Sequence, residues 1–289
     1  MARADVRLKD GRLSVYRHPA AVRLAHWVNL ACLIVLLGSG LQILMAHPAL
    51  YLGSDSSFDR PIAAMTAEEQ PDYTLKGYTI VLGHKVETTG LFGAMEEGGY
   101  PSPRALPPWL TLPPNRDLAT GRAWHFFFAW LFAANGAAYV AHGLISGRIR
   151  RELVPTGAEL RGLGGSILEH LRLRFPKGEA ARHYNVLQKL SYLLVLFVLM
   201  PLMVVTGMSM SPGLNAALPW LPELFGGRQS ARTVHFLVAM SLVLFTLVHL
   251  AMVVAAGVWN EVRSMLTGRY VIDPSQTPAA RTPVPEDHP

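Results

Sequence analysis

Four histidines lie in long apolar stretches of this chain: His26, His125, His235 and His249. An imidazole in such a stretch is costly to bury and marks either function or a paired contact. The segment from Arg232 to Trp259 shows the pattern best. Between Thr233 and Asn260 it carries no Asp, Glu, Lys or Arg, and it is long enough to cross a bilayer as a helix. Its two histidines, His235 and His249, are 14 residues apart. At about 100° per residue they fall within roughly 40° of each other around the helix and about 21 Å apart along it. One helix face thus offers a nitrogen donor near each side of a membrane, and the rest of the chain should supply the partners.

Composition fixes the setting. Of 289 residues, 51% are hydrophobic and only 16% charged, and mean hydropathy is +0.25. This is the balance of an integral membrane protein embedded in a lipid bilayer. Cys32 is the single cysteine, so an internal disulfide and a cysteine-held iron–sulfur cluster are excluded. A C-x-x-C-H haem attachment is excluded too. The net charge of +6 is distributed as membrane topology dictates, and no nucleic-acid partner is read from it. The N-terminal apolar segment is too long for a cleaved signal peptide.

Taken in order, the chain reads as an all-α membrane protein, a four-transmembrane-helix bundle with a long periplasmic loop between helices 1 and 2. Residues 1–20 form a basic lead-in, with a short interfacial helix as one option. Residues 21–270 form the membrane domain, with spans at about 21–46, 121–147, 185–209 and 230–257, the third kinked at Pro201. The connection 47–120 is too long for a bare loop, and T-L-K-G-Y-T-I-V-L-G-H-K-V-E-T-T predicts a hairpin around Gly83. P-P-W-L-T-L-P-P reads as extended, with Trp109 as an interfacial anchor. Residues 271–289 read as a disordered tail. The connection 148–183 holds eight Lys/Arg in 36 residues, against five in 74 for 47–120. The positive-inside bias therefore places 148–183 and both termini in the cytoplasm, and 47–120 on the other side.

Orientation sets depth, and depth sets partners. His26 and His249 share the inner level; His125 and His235 share the outer one. Each pair matches what a six-coordinate haem iron needs, one imidazole on each side, which suits electron transfer and leaves no open position for oxygen chemistry. Arginine stands three residues before three of these histidines, as Arg23, Arg122 and Arg232. That is one turn toward the surface, where haem propionates would receive charge-assisted bonds. Ordinary interfacial arginine accounts for Arg23 but less well for the other two. Gly40, 14 residues after His26, and Gly136, 11 after His125, would leave room for a flat macrocycle; close helix packing is the alternative. His142 lies about 100° off the face of His125. It competes with His26, lines a quinone pocket, or reaches to the interface. His18, His84, His170, His183 and His288 lie outside the spans and read as solvated.

Zinc needs its ligands clustered at one point, and di-iron bundles need Glu-x-x-His, which no span contains. The competing reading from another class is a haem-free transporter or assembly anchor whose histidines carry protons or a metal ion. It leaves Arg122 and Arg232 without an anionic partner.

R-L-A-H-W in the first span, R-A-W-H-F in the second, G-R-I-R-R-E-L-V-P after it, Y-N-V-L-Q-K-L at the third and His-x13-His in the fourth carry a resemblance. Over roughly residues 15–270 the chain resembles the prokaryotic b-type cytochromes of nickel hydrogenases, formate dehydrogenases and thiosulfate reductases, the bacterial cytochrome b561-like group. The resemblance implies a multi-pass bacterial inner-membrane subunit with two haem b groups. Such a subunit exchanges electrons with quinone and with a periplasmic redox enzyme, and is not a stand-alone enzyme. T-T-G-L-F-G-A and P-W-L-T-L-P are similar to members that accompany molybdopterin oxidoreductases; a hydrogenase-type partner is the other option. The family's quinone site lies beside the inner haem, which makes Asn185 and Gln188 either donors to a quinone carbonyl or an ordinary polar helix start. His142 departs from the family pattern.

Overall fold

A computed structural model describes residues 5–172 and 184–276, without the side chains of His170 and Leu171. Expectations that fall on His183, His288, the arginines and lysine at 174–182, and the tail from 277 onward lie outside the described residues, as does the side chain of His170.

Four helices are long and apolar enough to cross a membrane: α1 (Ala20–Ala46), α2 (Leu118–Ile145), α3 (Val186–Met210) and α4 (Arg228–Thr267). The 27 residues of α1 span about 40 Å, more than a bilayer core of about 30 Å. Their outer surfaces carry Phe127, Trp130, Leu244 and Leu247, each more than half exposed. Ser39, Gln42, Thr206 and Ser209 are buried. Apolar outside with small polar groups inside is the arrangement lipid selects. Asp117 starts α2 by accepting the Thr120 N–H at 3.0 Å. In α3 the expected Pro201 kink takes a definite form: Val195–Leu199 is a π turn and regular helix resumes at Met200. Pro201 has no N–H to give, and the wider turn absorbs the loss. In α4 Gly257 leaves helical geometry at φ 111° and bends the helix there.

The described chain forms two compact units. Residues 1–25, 139–194 and 246–289 make the first; 26–138 and 195–245 make the second. In the first, the lead-in and the end of α4 depart from expectation. Val6–Arg7, Leu13–Tyr16 and Arg269–Ile272 pair as a three-stranded antiparallel sheet, in place of an interfacial helix and a tail disordered from 271. The cause is period-two burial: Val15 packs with Tyr270 and Ile272. Lys189, buried, meets Glu159 at 2.7 Å.

In the second unit, connection 47–120 makes the chain mostly helical rather than all-α. Ala49–Leu50, Ala63–Glu69, Leu75–Val81 and His84–Glu87 form a four-stranded antiparallel sheet, and Ala94–Glu97 pairs with Tyr100–Pro103. The hairpin around Gly83 turns through Leu82 at φ 50° and Gly83 at φ 83°, both left-handed, as a two-residue type I′ turn requires. Buried Arg104 ties this region down through Glu97 (2.9 Å), the Leu106 carbonyl (2.8 Å) and the Pro114 carbonyl (2.7 Å). The connection also closes the start of α4. Gly53 carbonyl accepts the Gln229 and Ser230 N–H groups at 3.0 and 3.1 Å. Ser230 Oγ accepts the Gly53 N–H at 2.8 Å, and Thr233 donates to the Tyr51 carbonyl at 2.6 Å.

Candidate functional site

Within the second unit, α2 and α4 bring His125 and His235 together, with ring centroids 6.3 Å apart and planes at 64°. Two imidazoles bound to one metal fall at this separation: a bond of about 2 Å on each side plus about 1 Å from nitrogen to ring centre gives about 6 Å. Each ring is held by a buried hydroxyl. Ser39 on α1 donates to the Val35 carbonyl at 2.6 Å, so its oxygen is left to accept from His125 Nδ1–H at 3.1 Å. Thr206 on α3 donates to the Leu202 carbonyl at 2.7 Å and accepts from His235 Nδ1–H at 2.9 Å. The nearby carbonyls of Leu36 and Met203, which can only accept, favour the same tautomer. With the proton on Nδ1, each Nε2 keeps its lone pair for a metal.

The glycines fit the same geometry. A Cβ at Gly40 would sit 3.2 Å from His125 Cε1, and one at Gly207 would sit 3.3 Å from His235 Cε1. Each ring therefore lies against a helix backbone that only glycine opens. Ser39–Gly40 and Thr206–Gly207 are one device used twice: hydroxyl to orient, glycine to admit. Among the described residues, no three His, Cys, Asp or Glu side chains converge to hold a metal ion. The donor set is two facing imidazoles, which fits the axial positions of a haem.

The other expected residues distribute differently. His26 belongs to the second unit, half-buried with its ring edge on Trp27 at 5.2 Å. His249, half-buried, belongs to the first. Arg23 donates to the Leu266 carbonyl and Arg232 to the His47 carbonyl. Arg122 is exposed, its guanidinium 5.9 Å from the Phe126 ring centre. Gly136 faces Met200 Cε at 3.3 Å, a helix-packing contact. His142 is exposed. Asn185 and Gln188 cap α3 reciprocally: Asn185 N–H donates to Gln188 Oε1 at 3.1 Å, and Gln188 N–H to Asn185 Oδ1 at 2.9 Å. Ser39, Thr206 and Gly207 escaped the sequence reading, as did the α1–α2 hydrogen bond from Asn135 to Asn29 at 2.8 Å. The signal for the first three was present as a hydroxyl–glycine dipeptide repeated in two spans.

The family model for prokaryotic cytochrome b561 matches residues 17–268. The chain belongs to the prokaryotic cytochrome b561 family. Membership makes it a multi-pass membrane protein of a haem b family. A curated relative is the "Putative protein-methionine-sulfoxide reductase subunit YedZ1" of Azospira oryzae (strain ATCC BAA-33 / DSM 13638 / PS). It is 35% identical over 130 residues, which are 45% of this chain and 63% of the relative. The chain thus spans less than two thirds of that relative's length. No solved structure matches the chain.

Proposed function

We propose that this cytochrome b561-family chain is a dihaem electron-transfer subunit of the bacterial inner membrane, with both termini cytoplasmic. It links the quinone pool to a redox enzyme docked on residues 47–120 at the periplasmic face. The observation that carries the reading is the His125–His235 pair, 6.3 Å apart with both Nδ1 protons directed to hydroxyls. A haem b held by such a pair supplies one-electron chemistry with no open coordination position.

The protein's own part is to orient, seat and insulate. Ser39 and Thr206 fix the tautomers, Gly40 and Gly207 seat the rings, and the apolar exteriors of the spans exclude water. The second pair, His26 with His249, rests on spacing: 14 residues separate His235 from His249 on α4, which gives the chain two ligand levels. Arg122, exposed beside its histidine, is the best placed of the three arginines to meet a propionate. Asn185 and Gln188 use their side-chain oxygens in capping, so hydrogen bonding to a quinone carbonyl would draw on their amide NH2 groups. The partner is of the molybdopterin oxidoreductase type, which the loop strings resemble; the Azospira oryzae relative is itself named as a reductase subunit.

The test is a reduced-minus-oxidised visible spectrum of the purified protein with haem counted per chain. Two low-spin b-type haems support both pairs. One haem, lost in His235→Ala, removes the His26–His249 assignment. A folded protein that binds no haem overturns the reading.

A further inference from the structure

The second unit contains a cavity of about 660 Å³ that the haem reading does not use. Its walls include His47, Tyr51, Phe58, Met65, Thr66 and Ile80. The volume is within the range of small-molecule sites, about 300–1,000 Å³. Two polar atoms on its lining residues, His47 Nε2 and Thr66 Oγ1, are buried without a protein hydrogen-bond partner. Buried polar atoms are nearly always satisfied, so two orphans in one cavity point to a ligand that satisfies them.

The walls define the ligand's shape. His47 stacks on Tyr51 with centroids 5.6 Å apart and planes at 27°. Phe58 stands edge-on to both rings, at 5.8 Å and 6.2 Å. Three aromatic faces beside Met65 and Ile80 suit a flat ring. Charge defines it further. The ionised groups of the lining, Asp59 and Arg60, are opposite in sign. Burial and the Arg232 guanidinium hold the pKa of His47 below its ordinary value, so the imidazole is neutral at pH 7. A neutral imidazole and a hydroxyl each donate or accept one bond.

We propose that this cavity binds an uncharged aromatic ring bearing hydroxyl or carbonyl oxygen, of the phenol, hydroquinone or quinone class, with His47 Nε2 and Thr66 Oγ1 as its hydrogen-bond partners. Arg232, which donates to the His47 carbonyl, stands three residues before His235 on α4. The site therefore lies one helical turn, about 4.5 Å of rise, from the imidazole pair.

The test uses the full-length protein in detergent with three probes: 2-naphthol, naphthalene and 2-naphthoate. Binding is followed by calorimetry, and an azido-naphthoquinone photolabel is mapped by mass spectrometry. The proposal expects naphthol to bind at least tenfold more tightly than naphthalene or naphthoate, with label on residues 47–66. His47→Ala and the near-isosteric Thr66→Val should each weaken naphthol at least fivefold, while circular dichroism melting confirms the fold. Equal binding of the three probes overturns the proposal. So does label confined to other segments, no binding, or unchanged affinity in a folded Thr66→Val. Haem content is read from the same samples, so failure of this site and failure of the haem reading are separate results.

Discussion

Replacing Thr206 with Val tests the ligand geometry with almost no change in shape. The substitution deletes one hydroxyl and with it two hydrogen bonds, to the Leu202 carbonyl at 2.7 Å and from His235 Nδ1–H at 2.9 Å. Leu202 keeps its backbone helix bond, so the loss falls on the imidazole. A buried donor deprived of its acceptor costs about 1–3 kcal/mol, and with the Met203 carbonyl close by the lower end, about 1 kcal/mol, is expected. The Nδ1–H···O bond makes the ring a stronger donor, which favours the ferric state; its loss should raise the midpoint potential of one haem. A difference of 1 kcal/mol between oxidation states corresponds to about 40 mV for one electron, and loss of such an outer partner weakens metal binding about 10–100-fold. The assay is a potentiometric titration of the α-band beside a haem-retention assay, with Thr206→Ser as the control that keeps the hydroxyl. An unchanged potential and unchanged retention in Thr206→Val would refute the tautomer argument. So would a Thr206→Ser protein that behaves like the valine variant.

Other outcomes follow from the same geometry. Gly40→Val and Gly207→Val should each perturb the low-spin spectrum of one haem, because a Cβ already meets its ring at 3.2 or 3.3 Å; Gly136→Ala, which meets only the flexible end of Met200, should not. Arg104→Ala removes three bonds from a guanidinium that is 1% exposed and should destabilise the 47–120 region by about 3 kcal/mol, read as faster limited proteolysis there. Arg116 first and Arg104 second hold the Glu97 carboxyl below its ordinary 4.5, so its contribution is complete above about pH 4.5 and disappears as pH falls through the lowered value. Proteolytic resistance of the loop should accordingly persist below pH 4.5 in the native protein, whereas Glu97→Gln should already be weaker at pH 7. His47→Ala should leave haem content intact if its cavity and the ligand pair are independent; loss of haem in a folded variant would tie them together.

The spans were legible because lipid demands about twenty apolar residues in a row, a signal that nothing else in the chain imitates. The pairing of His125 with His235 was legible from topology, since both sit near the same end of their helices. The hydroxyls behind them were not. A lone Ser or Thr in a span usually bonds back to its own helix, and Ser39 and Thr206 do that as well; only the rings on the neighbouring helices reveal their second task. The arginines show the opposite failure. Their spacing from the histidines was correct, but the carbonyl that Arg232 engages lies 185 residues away in sequence. The strand Leu13–Tyr16 escaped because its partner is at the far end of the chain and four residues carry too little periodicity to name it. Gly136 shows how one residue type serves two purposes that sequence cannot separate: at Gly40 the neighbour is an imidazole, at Gly136 a methionine.

The start of α4 has a consequence in time. A helix normally closes its first free amides with a residue just ahead of it. Here the carbonyl that takes the Gln229 and Ser230 amides belongs to Gly53, and the Ser230 hydroxyl closes the loop back to Gly53 across 177 residues. During synthesis residues 47–58 emerge long before α4 exists, so the peptide that will finish the helix must already be folded and waiting on the far side of the membrane. The turn that carries His235 is thus the last part of the second unit to set. A chain cut between Tyr51 and Phe58 would still thread its four spans, but it would present His235 on a frayed end.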